Sequence, residues 1–242
     1  MYANPQQNRL LQQLSDVEQQ SIMRHSKVVA LEFGQTLSKE GENCGFVYFP
    51  LSGFISTLTS LQQYQQLEVG MIGNEGMLGV LSCVGVTMSP VQAIVLANGT
   101  SLRIESELFE TELRYCVKLQ QVLRQYLTFC LIQLNRLVCC SHYHETEPRL
   151  ARWLLMAQDR TGDDRFLLTH QRLASMLGVR RCSVTEATGA LLEKNSINYH
   201  RGQIQILDRP ALKKICCSCY RELLHKQEHF LCDDEPYWNF SL

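Results

Sequence analysis

The spacing of hydrophobic residues changes twice along the chain, and each change marks a boundary between predicted elements. Between residues 8 and 25 apolar residues recur at helical spacing and predict a short helix: Leu10, Leu11, Leu14, Val17 and Ile22. From about Lys27 to Ile104, short alternating or apolar runs are separated by Gly, Asn and Pro. Such runs are typical of an antiparallel β-roll or barrel, so an N-terminal β-roll is predicted.

The helical period returns from Glu107 to Val138, without Gly or Pro. Eight positions alternate steps of three and four and form a heptad seam: Leu113, Cys116, Gln120, Leu123, Leu127, Cys130, Leu134 and Leu137. This seam predicts a parallel coiled coil between two chains, with Gln120 as the polar position that sets the register. The alternative is one long helix packed on its own roll. We favour the homodimer.

Residues 141–148 interrupt this pattern, and Pro148 is expected to stop the helix. The segment is therefore a candidate hinge, and His142 and His144 within it are interpreted as solvated. An amphipathic helix starting at Arg149 would open the next domain. The predicted α+β architecture has a sensor domain (1–112), a dimerisation helix and hinge (113–147), a winged helix-turn-helix (148–228) and a tail (229–242).

Residues 169–192 have the spacing of a helix-turn-helix. Ala174 is small where two helices would touch, and Gly178 tolerates a positive φ where the chain would turn. Thr169 is a suitable N-cap for the first helix. The predicted outward side of the second helix is polar, and its N-terminal end would reach base edges in DNA: Arg180, Arg181, Cys182, Ser183, Thr185 and Glu186.

A hairpin is predicted after the second helix. Residues 197–207 alternate apolar and polar side chains on both sides of a His-Arg-Gly turn. This hairpin would form the wing of a winged helix-turn-helix, with Arg201 at its tip facing a phosphate.

Charge supports DNA as the partner. Residues 165–226 hold eleven Lys and Arg against four Asp and Glu, a net charge of +7, whereas the whole chain carries −1 and the remainder −8. A basic cluster of this kind supplies non-specific affinity for DNA. No apolar run approaches transmembrane length and no secretory signal is present, so we expect a cytoplasmic protein without membrane contact. Its eleven cysteines are then expected to be reduced.

The sequence carries no catalytic signature. A nucleophile elbow, a zinc-protease helix, a Walker loop and a dinucleotide fingerprint are all missing, so an enzyme is not expected. The remaining alternative is a ligand- or redox-sensing signalling module that works through a protein partner rather than through DNA.

The chain resembles the Crp/Fnr family of bacterial transcription regulators over nearly its whole length. The resemblance rests on Tyr48-Phe-Pro with Gly53, a glycine-rich segment at 70–79, Leu-Gly-Val-Arg-Arg at 177–181, and Arg201-Gly with Ile-Leu-Asp-Arg at 206–209. It implies a cyclic-nucleotide-binding-like jelly roll and a C-terminal winged helix, acting as a homodimer on a palindromic operator. RNA polymerase is a further implied partner if the protein is an activator.

Carried over by position, the resemblance implies that Arg181 is the arginine at the start of the recognition helix. Cys182 stands where the family usually has glutamate, and Glu186 replaces an arginine of the cyclic AMP receptor, so the operator is expected to differ. Arg181 could read guanine and Glu186 cytosine N4. Phosphate contacts are expected from Thr169, His170, Gln171, Arg180, Ser183 and Arg201.

The ligand cassette departs from the family pattern. The aligned positions Gly76-Met77 and Val91-Gln92 lack the acid and the arginine that hold a cyclic nucleotide, so neither cyclic AMP nor another cofactor is expected. The remaining ligand-binding candidates are Gly73, Gly76, Met77, Gly79, Val91 and Gln92. The glycines could cradle an anion through backbone N–H groups, but tight turns explain them more simply.

Two cysteine features raise further hypotheses. Cys216, Cys217 and Cys219 include a C-x-x-C spacing that suits a metal cluster, but the only nearby second ligands are Cys232, His225 and His229, so buried helical cysteines are favoured. If Cys182 lies on the groove face beside Arg180 and Arg181, oxidation of its thiol would block DNA contact.

Overall fold

The architecture is taken from a computed structural model of the chain, which describes residues 7–60 and 66–232. The side chains of Leu231 and Cys232 lie outside the described part, as do residues 233–242 of the predicted tail. Within the described residues no helix is long and apolar enough to cross a membrane.

The N-terminal helix is shorter than its sequence pattern predicts. A 3-10 turn at Leu11–Gln13 precedes α1 (Asp16–Arg24). Ser15 begins α1 with a capping box, in which its hydroxyl accepts from the N–H of Glu18 and the Glu18 carboxylate accepts from the N–H of Ser15.

The predicted β-roll is confirmed. Its strands, all antiparallel, are β1 (Ser26–Leu31), β2 (Thr36–Ser38), β3 (Phe46–Pro50), β4 (Phe54–Ser60), β5 (Gln66–Ile72), β6 (Gln92–Ala97) and β7 (Gly99–Glu105). They form a four-stranded sheet in the order β2-β6-β4-β5 and a three-stranded sheet in the order β1-β7-β3. Val47, Phe49 and Leu102 are fully buried in the core beside the three-stranded sheet.

The predicted uninterrupted helix from 107 to 138 is wrong. Two helices replace it, α2 (Ser106–Tyr115) and α3 (Val117–Tyr143), and Cys116 between them is extended, with φ −102° and ψ 94°. Its thiol sulfur accepts a hydrogen bond from the N–H of Leu119 at 3.3 Å and caps α3. The same thiol donates to Glu18 of α1 at 3.1 Å, so contact with the N-terminal helix favours the break.

The C-terminal domain begins with α4 (Thr146–Thr161), which is followed by β8 (Arg165–Leu167), α5 (His170–Leu177), α6 (Arg181–Glu193), β9 (Ile197–His200), β10 (Gln203–Ile206), α7 (Arg209–Ile215) and α8 (Cys219–Cys232). The predicted two-stranded wing is present, and β8 adds a third strand in the order β8-β10-β9. Helix α8 continues through Cys232, so the predicted tail boundary at residue 229 is wrong.

The hinge is much shorter than predicted. Helix α3 continues to Tyr143, and only His144 and Glu145 separate it from α4. Pro148 lies in the first turn of α4, where its missing N–H has no intrahelical acceptor to lose, so it begins a helix rather than ending one.

The roll and the C-terminal domain pack closely on each other. Phe54, Met71 and Leu96 of the roll belong to the same hydrophobic cluster as the core of the C-terminal domain. Arg160 of α4 forms a buried ion pair with Glu75, with 2.6 Å between Nη2 and Oε1. The two domains therefore share a core and a buried charge pair.

Candidate nucleic-acid interface

The predicted helix-turn-helix is formed by α5 and α6. Thr169 begins α5, where its hydroxyl accepts from the N–H of Arg172 at 3.2 Å. Gly178 ends α5 with φ +63°, as the predicted turn requires. Val184, Ala187 and Leu191 form the buried side of α6, so both the turn and the inward side of the second helix agree with the sequence pattern.

The outward side of α6 presents the residues predicted to read DNA. Arg181, Cys182, Thr185 and Glu186 are exposed and Ser183 is half-buried. Arg180 is exposed at the N-cap position, so two guanidinium groups lie at the positive end of the helix dipole. Among the described residues neither arginine has an ion-pair partner, which leaves both available for an external anion.

His170 has a different role from the predicted phosphate contact. Its Nδ1 lies 3.0 Å from Thr185 Oγ1, and its ring stacks on Tyr199 with 4.5 Å between centroids. Its Nε2 is buried without a partner among the described residues. Burial, together with the charge of Arg181, lowers the pKa of His170. The ring therefore connects α5, α6 and the wing rather than facing solvent.

The wing tip is a two-residue turn between β9 and β10. Arg201 has φ +47° and Gly202 has φ +81°, the left-handed pair that joins tightly twisted antiparallel strands. Arg201 is exposed at the tip, as predicted, and has no ion-pair partner in the described part of the chain. Thr169 and Gln171 are also exposed, near the start of α5.

A cavity of about 730 Å³ lies between the roll and α3. Of the predicted ligand-binding residues, Met77, Gly79 and Val91 line it, whereas Gly73, Gly76 and Gln92 do not. A Cβ atom at Gly76 would lie 2.1 Å from the Tyr126 hydroxyl oxygen, and one at Gly73 would lie 2.6 Å from a Glu75 carboxylate oxygen. These glycines allow close packing and lie outside the described lining of this cavity, so their role as ligand contacts stays a prediction.

The described lining of the cavity is mostly apolar, and the charged groups among its residues are acidic. Leu78, Val80, Leu81 and Met88 contribute apolar surface, and α3 adds Leu127, Leu131 and Leu134. Glu105, Glu107 and Glu110 are the charged side chains among the described lining residues, which include no Lys or Arg. The described part of the lining therefore offers no basic side chain to a phosphate.

The predicted dimer seam is only partly exposed. Leu113 and Leu123 are buried within the protomer, and Gln120 Nε2 donates to the carbonyl of Leu113 at 2.8 Å. Cys116 lies in the break between helices. These four positions contact the protomer's own helices and core, contrary to their prediction as interface residues, while Cys130 and Leu137 are half-buried.

A neighbouring stripe on α3 carries exposed apolar residues. Leu131, Leu134 and Val138 are 55%, 39% and 67% exposed, and Leu127 lies one turn before them. Their spacing of four, three and four is again that of a heptad seam. Leu127 and Leu134 were predicted to lie in the interface, whereas Leu131 and Val138 were missed because two apolar stripes share the helix.

Cys217 and Cys219 lie together, but the potential ligands next to them are not the residues that the sequence analysis considered. Their sulfurs lie close to Cys140 Sγ and to His144 at the end of α3. Cys216 is outside this group and donates to the carbonyl of Lys213. The ten cysteines whose side chains the structure describes are free thiols. The C-x3-H spacing of Cys140 and His144 was the signal available in the sequence.

Two domain families match the chain. The cyclic nucleotide-binding domain matches residues 28–115, and the Crp-like helix-turn-helix domain matches residues 148–215. Among curated proteins, the global nitrogen regulator of Nostoc sp. strain PCC 7120 is 24% identical over 190 residues, covering 74% of this chain and 84% of that protein. The global nitrogen regulator of Synechococcus elongatus is 22% identical, covering 78% and 89% respectively.

Solved structures share the fold. A Crp/Fnr-family transcriptional regulator from Eubacterium rectale superposes with a TM-score of 0.68 at 16% identity, covering 87% of this chain and 98% of that one. FixK2 from Bradyrhizobium japonicum gives 0.66 at 14% identity, covering 80% and 98%.

The two domains and their order define a regulator that joins a cyclic-nucleotide-binding-like roll to a DNA-binding winged helix. The protein belongs to the Crp/Fnr family and is a DNA-binding transcription regulator.

Proposed function

We propose that the protein binds a two-fold symmetric operator as a homodimer, with α6 of each protomer in the major groove, and has no catalytic activity. The observation that carries this proposal is the position of the Arg180 and Arg181 guanidinium groups at the exposed N-terminal end of α6, where neither has an ion-pair partner among the residues that the structure describes. In helix-turn-helix proteins this end of the second helix contacts base edges.

Arg181 and Glu186 are the residues we assign to sequence recognition. Arg181 can donate two hydrogen bonds to O6 and N7 of guanine, and Glu186 can accept one from N4 of cytosine. Arg180, on the N-cap, and Arg201, at the wing tip, are assigned to phosphates, together with Thr169, Gln171 and Ser183. Such contacts fix the position of the protein on DNA without reading its sequence.

The exposed stripe of α3 supports the homodimer. Leu131, Leu134 and Val138 would be removed from water by the same stripe of a second chain, and apolar burial is the main driving force of association. A parallel pairing of two α3 helices gives the complex a two-fold axis, which a palindromic operator shares.

The roll is proposed to sense something other than a cyclic nucleotide. A cyclic phosphate in the cavity would meet Glu105, Glu107 and Glu110 but no basic side chain among the described lining residues. Without a charge-assisted partner, a buried phosphate would bear an uncompensated charge. The lining instead favours an apolar effector.

Selection of bound duplexes from a random library tests the proposal. The purified chain is expected to enrich a motif with two-fold symmetry, whose affinity falls steeply with salt because bound phosphates release counterions. Addition of cyclic AMP is expected to leave the enrichment unchanged. Enrichment of no motif at any salt concentration would favour the signalling module that acts through a protein partner.

A further inference from the structure

Four potential metal ligands from distant parts of the chain meet where the long helix and the last helix come together. Cys140 lies in the last turn of α3 and His144 directly follows that helix, while Cys217 and Cys219 flank the start of α8. One ligand atom from each of the four lies within 4.8 Å of all the others. We propose that these four residues form a structural zinc site.

The distances suit a single tetrahedral ion. Cys140 Sγ and Cys217 Sγ are 3.6 Å apart, and Cys219 Sγ is 3.7 Å from His144 Nδ1. Zinc–sulfur bonds of about 2.3 Å in a regular tetrahedron separate neighbouring ligand atoms by about 3.8 Å. An iron–sulfur cluster spreads its thiolates over two or more irons and so needs wider ligand separations.

The identity of the ligands also favours zinc. Three cysteines and one histidine form a common structural zinc set, and all four coordination positions are filled by the protein. Cys140, Cys217 and Cys219 are 0%, 6% and 1% exposed and His144 is half-buried, so the three sulfur ligands are shielded from solvent. A closed, sulfur-rich site of this kind stabilises a fold rather than catalysing a reaction.

The surroundings supply the charge that such a centre needs. Zinc with three thiolates and a neutral imidazole carries a net charge of −1. The side chains of Arg149 and Arg152 are each about 95% buried, and the Nε of each has no hydrogen-bond partner in the described residues. The charge of Arg152 acts on all three thiols, and that of Arg149 on Cys140 and Cys217. A centre of charge −1 would offset part of the positive charge of these two buried guanidinium groups.

Zinc at this position would link the end of α3 to the start of α8. Cys140 and His144 belong to the end of the proposed dimerisation helix, next to its junction with α4. Cys217 and Cys219 belong to the DNA-binding domain. The ion would hold α8 against α3, adding to the Arg136 to Glu222 ion pair, in which Nη2 and Oε2 are 2.5 Å apart. The zinc proposal does not depend on the operator or effector proposed above.

Metal analysis of the full-length chain tests the site. Protein isolated under reducing conditions is expected to contain about one zinc per chain, and the apo protein to bind Co²⁺ one to one with the visible bands of a tetrahedral thiolate site. Cys217→Ser and Cys140→Ser should lose this metal. Cys216→Ser and Cys139→Ser, each one residue away and outside the cluster, should retain it.

Thermal unfolding gives a second readout. A chelator is expected to lower the melting temperature of the parent but not that of Cys217→Ser, because metal binding contributes to folding free energy. The proposal is overturned if the reduced parent binds neither zinc nor Co²⁺. This measurement on the parent does not depend on purifying the variants. Iron with acid-labile sulfide, a Cys140–Cys217 disulfide in anaerobically isolated protein, or equal metal loss in the control variants would also overturn it.

Discussion

The indole N–H of Trp153 donates a hydrogen bond to the Glu68 carboxylate, with 2.7 Å between Nε1 and Oε1. Glu68 lies on β5 of the roll and Trp153 on α4, so this bond crosses the boundary between the two domains. Ser56 donates to the other carboxylate oxygen at 2.5 Å. Complete burial raises the pKa of Glu68 to about 7, although both hydrogen bonds and the charges of Arg152 and Arg160 oppose the shift.

This shift predicts a pH-dependent stability. Glu68 ionises near 4.5 when unfolded and near 7 when folded, so between these values the folded state binds more protons. The stability that the protonated Glu68 carboxyl contributes is complete below about pH 4.5 and is lost as the pH rises to about 7. Glu68→Gln keeps an acceptor for Trp153 without this titration. Across this range we expect the free energy of unfolding of the parent to fall by about 3 kcal/mol relative to that of the variant.

Urea denaturation at a series of pH values measures this difference. The stability of the parent relative to that of Glu68→Gln should fall as the pH rises from about 4.5 to about 7. Parallel curves for the parent and Glu68→Gln would show that the carboxyl does not titrate near neutral pH.

Removing one partner of the ion pair between Arg160 and Glu75 is expected to lower the free energy of unfolding strongly. The Arg160 Nε and Nη2 atoms lie 2.8 and 2.6 Å from the same Glu75 oxygen, and both side chains are buried. Arg160→Met would leave a buried carboxylate without its counter-ion, at a cost of about 3–5 kcal/mol in unfolding free energy. Adding Glu75→Gln to Arg160→Met should recover most of the lost unfolding free energy, as measured by chemical denaturation. Equal losses of stability in the single and double variants would contradict the pairing.

The exposed stripe of α3 predicts where the dimer can be broken. Leu131→Glu would place a charge in the proposed interface and is expected to convert the dimer to a monomer in sedimentation equilibrium. Leu207→Glu is the matched control, because Leu207 is 54% exposed and Leu131 is 55% exposed. A Leu131→Glu protein that stays as dimeric as Leu207→Glu would exclude this stripe as the interface.

Cys182 predicts sensitivity of DNA binding to thiol modification. Its exposed side chain lies beside Arg181 on the outward side of α6, where an added group would meet the DNA. Alkylation with N-ethylmaleimide is expected to weaken binding of a selected duplex in the parent and in Cys139→Ser, but not in Cys182→Ser. If alkylated Cys182→Ser loses as much affinity as the parent, another thiol is responsible.

The helix-turn-helix could be predicted from sequence because its constraints are local. Gly178 has the positive φ that its turn requires, and Thr169 caps the following helix through a residue three positions away. The wing is equally local, with Arg201 and Gly202 joining adjacent strands. Each feature depends on neighbouring residues, so periodicity and turn chemistry suffice.

Long-range contacts account for what the sequence pattern missed. Helix α3 is apolar on two sides, and periodicity alone cannot say that Leu123 faces its own core while Leu131 faces outwards. Likewise the break at Cys116 involves Glu18, and the cluster of Cys140 with Cys217 joins positions 77 residues apart. Neither contact leaves a local signal such as glycine or proline.

The most direct test of the account is the affinity of Arg181→Ala for a selected operator and for a scrambled duplex. We expect the difference in binding free energy between the two duplexes to fall by about 1–3 kcal/mol per half-site, because a bidentate guanine contact is lost. Arg201→Ala should weaken both duplexes alike and reduce the salt dependence. If Arg181→Ala keeps the full preference of the parent, α6 does not read the operator through its N-terminal end, and the proposed recognition is wrong.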